Sequence, residues 1–193
     1  MSAVPKPYVT PAEYLALERR AETKSEYYQG EIFAMSGASR EHNLIAINVG
    51  RQLSEQLRDR DCEVYPSDMR VKVSPTGLYT YPDVVVVCGE PQFEDGELDT
   101  LLNPKVLFEI LSPSTADYDR GGKFAQYRRL ASLAEYVLIS QDRPLVEHYV
   151  RQPHDQWLLS EQSGLTDTLV LPSIRCQLTF SEIYLKVQFA SEP

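Results

Sequence analysis

The sequence predicts an α/β (α+β) domain: a mixed central β-sheet flanked by helices, with additional β-strands toward the C-terminus. Three observations predict it. The runs "YPDVVVVC" and "KVLFEILS" lack the polar–apolar alternation of a half-exposed strand, so each reads as a strand buried on both faces. In "SREHNLIAINVGRQLSEQLRDRD", Leu44, Ile47, Leu53 and Leu57 recur at roughly helical spacing, which predicts a long amphipathic helix that packs on the sheet. Beyond Arg143 the pattern changes to short β-rich runs. With 193 residues and 42% hydrophobic content, residues 1–193 read as one domain whose core spans about 10–185.

Each element follows from local chemistry. "TPAEYLALERRA" opens on Thr10 as an N-cap and Pro11 at the first helical position. "SEYYQGEIFAMSG" reads as two short strands around a Gln29–Gly30 turn. Ser39 caps the long helix. A strand is expected over Cys62–Tyr65, and another over Met69–Val73, where Met69, Val71 and Val73 alternate with Arg70 and Lys72 and predict half exposure. Asp68 reads as a turn residue and "EPQFEDGELDTLLNP" as an acidic, turn-rich connection. "STADYDRGGKFAQYRRLAS" is expected to be helical, with Gly121–Gly122 weakening its start. Strands follow at "EYVLISQ", "VEHYVRQ", "QWLLSEQ" and "SIRCQLTF", then a short helix at "SEIYLKV".

The bulk numbers exclude several classes. A net charge of −9 argues against an extended surface for coating nucleic acid, so any nucleic-acid chemistry has to come from a site. No apolar stretch approaches the ~18–20 residues a membrane helix requires. "MSAVPKPYVTPAEY" has no basic cluster ahead of an apolar segment, so a cytoplasmic location is expected. Cys62, Cys88 and Cys176 are far apart, odd in number and without His42, His148 or His154 at zinc spacing; all three read as unpaired core or surface residues.

The chemistry concentrates on two carboxylates. Asp83 stands at the mouth of one central strand and Glu109 in the middle of the other. A bare carboxylate in a dry sheet is costly or stays protonated. Relief comes from a basic partner, with Arg70 and Lys72 as candidates, from backbone amides, or from a divalent cation such as Mg²⁺, for which Mn²⁺ substitutes. Lys123 is the candidate basic group, able to orient a metal-bound water or to stabilise charge on a phosphate. A helix over 119–130 puts Lys123 and Tyr127 on one face with Arg120 one turn back, although a lysine in such a place is ordinarily solvated. Glu26 and Glu31 flank the hairpin turn, where glutamates ordinarily face solvent. His42 at the start of the long helix is a candidate acid, base or ligand, or a packing residue.

Other chemistries find little support. There is no GxSxG, Walker loop or GxGxxG. Ser112, Ser114 and Thr115 follow Glu109 without a base evident in sequence, and Trp157 and the tyrosines lack the spacing of a base-stacking platform.

Three stretches, "YYQGEIFAMSGASREHN", "YPDVVVV" and "FEILSPSTADYDRGGKFAQYRR", together with "LAEYVLI", resemble the PD-(D/E)xK nuclease superfamily and, more narrowly, the Uma-type restriction endonuclease family. The resemblance covers most of residues 10–185. It implies a restriction-endonuclease-like fold and Mg²⁺-assisted phosphodiester hydrolysis. It makes Pro82–Asp83 the PD element, Glu109 the second acid, and the Ile110 carbonyl a further metal oxygen. Glu31, and after it Glu26, supplies an acid from the N-terminal region. Where the superfamily pattern places its lysine, two residues after the acid, this chain has Leu111. Either the site is disabled, or the basic role moves to the next helix, where Lys123 is the substitute. Arg120, Arg128 and Arg129 are then phosphate contacts, the expected partner is nucleic acid, DNA first, and a homodimer follows by analogy. Two alternatives stand beside this reading. One is a nuclease fold that has lost catalysis and serves as a binding or regulatory module. The other is a metal-independent hydrolase working with its carboxylate pair, which needs one carboxylate of raised pKa.

Overall fold

The computed structural model describes residues 8–189; residues 1–7 and 190–193 of the expected 1–193 unit lie outside the described residues. Helix α1 (Pro11–Glu18) begins with a capping box: Thr10 Oγ1 accepts the Glu13 N–H, and the Glu13 carboxylate accepts the Thr10 N–H at 2.8 Å. The hairpin β1 (Ser25–Tyr28) and β2 (Glu31–Ala34) turns at Gln29–Gly30, both residues having positive φ. Helix α2 (Arg40–Leu57) starts at the Ser39 cap, whose hydroxyl accepts the His42 N–H at 3.1 Å.

The remaining strands are β3 (Cys62–Pro66), β4 (Arg70–Val73), β5 (Leu78–Thr80), β6 (Val84–Cys88), β7 (Thr100–Leu101), β8 (Val106–Leu111), β9 (Glu135–Ser140), β10 (Leu145–Arg151), β11 (Trp157–Ser163), β12 (Thr168–Leu171) and β13 (Cys176–Thr179). They form a six-stranded sheet in the order β11-β10-β9-β8-β6-β3, a five-stranded sheet in the order β2-β1-β5-β4-β7, and the β12–β13 hairpin. In the larger sheet β8 and β9 run parallel and the other neighbours antiparallel, so the sheet is mixed. The short strands β5, β7 and β12 are additions to the elements expected from sequence. Among the described residues no helix is long and apolar enough to cross a membrane.

Strand β8 has no alternation because both its faces are covered. Val106, Phe108 and Ile110 pack with Ile45, Val49, Leu53 and Leu57 of α2, and with residues of the β12–β13 hairpin and the short helix Phe180–Ile183. On the other face Leu107 and Leu111 pack with Val71, Val73 and Leu78 of the second sheet and with Tyr127 and Tyr136. Leu111 therefore continues the core, which explains why the position two residues after Glu109 is aliphatic.

Four expectations are corrected. The buried stripe of α2 runs through Ile45, Val49, Leu53 and Leu57 at four-residue intervals, and Ile47 falls off it, 66% exposed. Strand β4 is not half exposed at Arg70: it lies between β5 and β7, and Arg70 is buried against Asp99 at 2.9 Å, the Tyr81 hydroxyl at 2.8 Å and Thr100 at 3.0 Å. Lys72 pairs with Glu94. The acidic connection thus supplies counter-charges to β4, and neither basic residue serves Asp83 or Glu109. The helix expected over 114–132 is interrupted: α3 (Ala116–Tyr118) leads into a π turn over Asp119–Lys123 and then α4 (Phe124–Tyr127).

The fourth correction concerns cysteine. Cys62 and Cys88 are direct partners in the β3–β6 register and are joined by a disulfide, while Cys176 stays free and buried. Spacing along the chain hides a pairing that only the antiparallel register creates. A bridge across a separation of 26 residues restrains the unfolded chain by about 3.5 kcal/mol in the loop-entropy model. Reductant is expected to lower the urea-unfolding free energy of wild type by about that amount and to leave a Cys62→Ala/Cys88→Ala variant unchanged. Equal effects of reductant on both proteins would show that the bridge is not the source.

Candidate active site

The β6–β8 register brings the two carboxylates together. Val84 is opposite Phe108, so one step further Asp83 meets Glu109, and the Asp83 N–H donates to the Phe108 carbonyl at 3.0 Å. Here the sheet ends in a cleft of about 800 Å³. Asp83 Oδ2 accepts the Ile110 N–H at 2.7 Å, and Oδ1 lies 2.8 Å from His42 Nε2. The histidine is held by the start of α2, because Ser39 both caps the helix and donates to Gln141 Oε1 at 2.8 Å, just past β9.

Glu109 faces the helical segment. Its Oε1 accepts the Tyr127 hydroxyl at 2.7 Å and lies 3.3 Å from Lys123 Nζ. The same ammonium is 3.2 Å from Asp119 Oδ1 and 3.4 Å from Glu26 Oε1, and Glu26 also accepts the Thr80 hydroxyl at 2.5 Å. The π turn explains this convergence. Asp119, Lys123 and Tyr127 follow one another at intervals of four on the side facing the site, while Arg120 turns away to Glu147 at 2.7 Å. Gly122 leaves room for a neighbour here: a Cβ on it would stand 2.6 Å from the Tyr118 ring, which would have to move.

Charge in the site is unbalanced, with the carboxyls of Glu26, Asp83, Glu109 and Asp119 around one buried ammonium. Burial pushes Glu109 well above the ordinary glutamate range; Lys123 opposes this, Asp119 and Asp83 add to it, and the Tyr127 hydrogen bond opposes it. For Lys123 burial works downward, yet the carboxylates of Glu109, Glu26, Asp119 and Asp83 overcome it and hold the ammonium well above the ordinary lysine value. Asp119 Oδ1 is buried and makes no hydrogen bond, so the lysine's charge is what steadies it.

Of the residues singled out in sequence, Asp83, Glu109, Ile110, Lys123, Glu26 and His42 line the cleft, and Tyr127 stands behind Glu109. Glu31 lies exposed at the start of β2, and the acids that the hairpin region contributes to the cleft are Glu22 and Glu26. Arg120, Arg128 and Arg129 do not line it: Arg120 is engaged by Glu147, and Arg128 and Arg129 are exposed beyond α4, with Arg128 over the Phe124 ring. Sequence reasoning missed Asp119 and Thr80. Asp119 left a signal, an acid four residues before a lysine; Thr80 left none.

The fold is of the nuclease-like class, a mixed sheet flanked by helices. A crystal structure described as a "putative nuclease belonging to DUF820" from Anabaena variabilis shares it, with a TM-score of 0.73 at 19% identity over 91% of this chain and 97% of that one. The chain belongs to the Uma2 family, described as "Putative restriction endonuclease", whose model matches residues 11–186. Two uncharacterized proteins of Synechocystis sp. are relatives. One, sll1609, is 43% identical over 156 residues, 81% of this chain and 88% of its own length. The other, slr1290, is 34% identical over 187 residues, 97% of each chain.

Proposed function

We propose that the chain is a nuclease that hydrolyses phosphodiester bonds in nucleic acid, with DNA the first substrate to test, and that Asp83 and Glu109 hold Mg²⁺ or Mn²⁺. The observation that carries this reading is Lys123 Nζ, buried within 3.2–3.4 Å of Asp119, Glu109 and Glu26 in a cleft that also holds Asp83.

The residues fit such a cation. Among the described residues no group of three or more His, Cys, Asp or Glu side chains forms a ready metal cage. Mg²⁺ does not ask for one, since it is usually held by one or two carboxylates and completed by water and substrate phosphate. An excess of carboxyls over the single ammonium is what a dication would neutralise. When bound, it supplies an activated water and polarises the phosphate.

The protein's own groups do the positioning. The Ile110 amide and His42 fix the Asp83 carboxylate, and Tyr127 fixes that of Glu109. Lys123 keeps its proton because its acidic neighbours hold it there. It offers positive charge to the phosphate as negative charge builds on it, the kind of electrostatic stabilisation that dominates such reactions.

The test is a calorimetric titration of Mg²⁺ and Mn²⁺ into wild type, Asp83→Asn and Glu109→Gln, followed by oligonucleotide cleavage. Saturable binding is expected in wild type and absent in both variants, with cleavage lowered at least about 100-fold. Negligible heats in all three proteins, with no metal-dependent cleavage, would overturn the reading. The raised pKa of Glu109 favours one alternative, a metal-independent hydrolase in which Glu109 is the general acid beside Asp83. That enzyme would keep its activity in chelator.

A further inference from the structure

Phe33 and Tyr118 are far apart in sequence, yet both line the cleft of the acidic site, 47% and 45% exposed respectively. Phe33 comes from the edge strand β2 and Tyr118 from the last position of α3, and neither belongs to a hydrophobic cluster of the core. The seat of Tyr118 is built: its ring occupies the space that a Cβ on Gly122 would fill, and Lys123 Nζ lies 5.7 Å from its centroid.

The charges of the cleft say what these rings are for. Its two lysines already have acidic neighbours, Lys24 at its edge with Asp68 at 3.0 Å and Lys123 with its three acids. The arginine next along the chain, Arg120, is taken by Glu147. Away from the scissile phosphate, where Lys123 and the proposed cation act, acids outnumber lysines on these walls, so a polyanion gains little there through charge. Stacking on aromatic faces is the attraction these walls add, and it is open to any base. In an intact duplex the base faces are covered by their neighbours; only an unpaired nucleotide can offer one.

We infer that Phe33 and Tyr118 stack on unpaired bases next to the scissile phosphate, so that the substrate is single-stranded or locally melted nucleic acid. This rests on the nuclease reading of the same cleft and narrows it to a substrate class.

The experiment measures binding, without turnover, to a single-stranded DNA oligonucleotide carrying 2-aminopurine and to its blunt duplex, in Ca²⁺. The fluorescence of 2-aminopurine reports stacking directly. Wild type and Tyr118→Phe are expected to quench it and to bind the single strand at least about 10-fold more tightly than the duplex. Tyr118→Ala and Phe33→Ala are each expected to weaken that binding about 5- to 100-fold. Gly122→Ala removes no ring and suits a helix better, but pushes the Tyr118 ring aside, so it is expected to weaken stacking in a folded protein. The inference is overturned if the alanine variants bind as wild type does, or if the duplex binds as well as the single strand. Should duplex cleavage in Mg²⁺ also persist in the alanine variants, the nuclease reading survives and the stacking alone falls. Absence of binding to either DNA, with no metal-dependent cleavage, removes both.

Discussion

Lys123→Met is expected to lower the unfolding free energy by about 3–5 kcal/mol near neutral pH, the scale of breaking a buried ion pair from one side. Methionine preserves the unbranched shape, so the loss measures charge and not volume. With the ammonium gone, Asp119 and Glu26 are left around an empty centre beside Glu109, whose carboxyl burial holds toward its protonated form, and Asp119 Oδ1 has no hydrogen bond to fall back on. The lysine pKa is held above its ordinary value of 10.5, so its stabilisation is present throughout the range below that value and is lost only as pH rises through the higher, folded one. Urea unfolding of both proteins at pH 7 checks the expected loss. A loss below about 1 kcal/mol at pH 7 would mean that the lysine is solvated, like an ordinary surface ion pair.

Much of this arrangement could be read in the sequence, for reasons that differ from element to element. The two buried strands were legible because four consecutive valines, and the five apolar residues around Glu109, lack any alternation and read as strands covered on both faces. Asp83 and Glu109 were legible because a carboxylate in such a strand demands an explanation. The identity of the partners was not. Arg70 and Lys72 were equally plausible beside the acids until the second sheet placed them against Asp99 and Glu94. The segment after β8 shows the limit of periodicity: Lys123 and Tyr127 do share a side, but the π turn sends Arg120 away from it, and a regular helical repeat carries no trace of that turn. Only the two glycines hinted at it.

Pairings across the fold were the least legible. The Cys62–Cys88 bridge, the Thr80 hydroxyl on Glu26, and the presence of Phe33 and Tyr118 on the walls of one cleft all depend on strand register or on the meeting of the two sheets. None follows from local chemistry. His42 lies between the two cases: its place at the helix start was evident, and its contact with Asp83 comes from α2 covering the face on which β6 begins.

Glu109→Gln is expected to do the opposite of Lys123→Met and stabilise the metal-free protein. Burial raises the pKa of Glu109 above the ordinary value of 4.5, so its contribution to stability is full below that value and is lost as pH rises through the folded pKa. Between the two, the folded chain holds a proton that the unfolded chain has released, and stability falls by up to about 1.4 kcal/mol per pH unit. Glutamine cannot lose a proton, and its carbonyl still accepts the Tyr127 hydroxyl, so the variant escapes this slope. The gap between variant and wild type should therefore open steadily above pH 4.5 in urea melts taken in chelator. Saturating Mg²⁺ should then reverse the order. A cation that binds only the folded wild type adds about 2.7 kcal/mol at 100 times its dissociation constant, and the variant, having lost a ligand, gains little. A difference that stays flat with pH, or a variant less stable at every pH, would show that Glu109 is ionised and paired with Lys123 in the free protein. A stabilised variant that no longer responds to the cation would instead identify Glu109 as a group kept at the expense of stability because the site requires its charge.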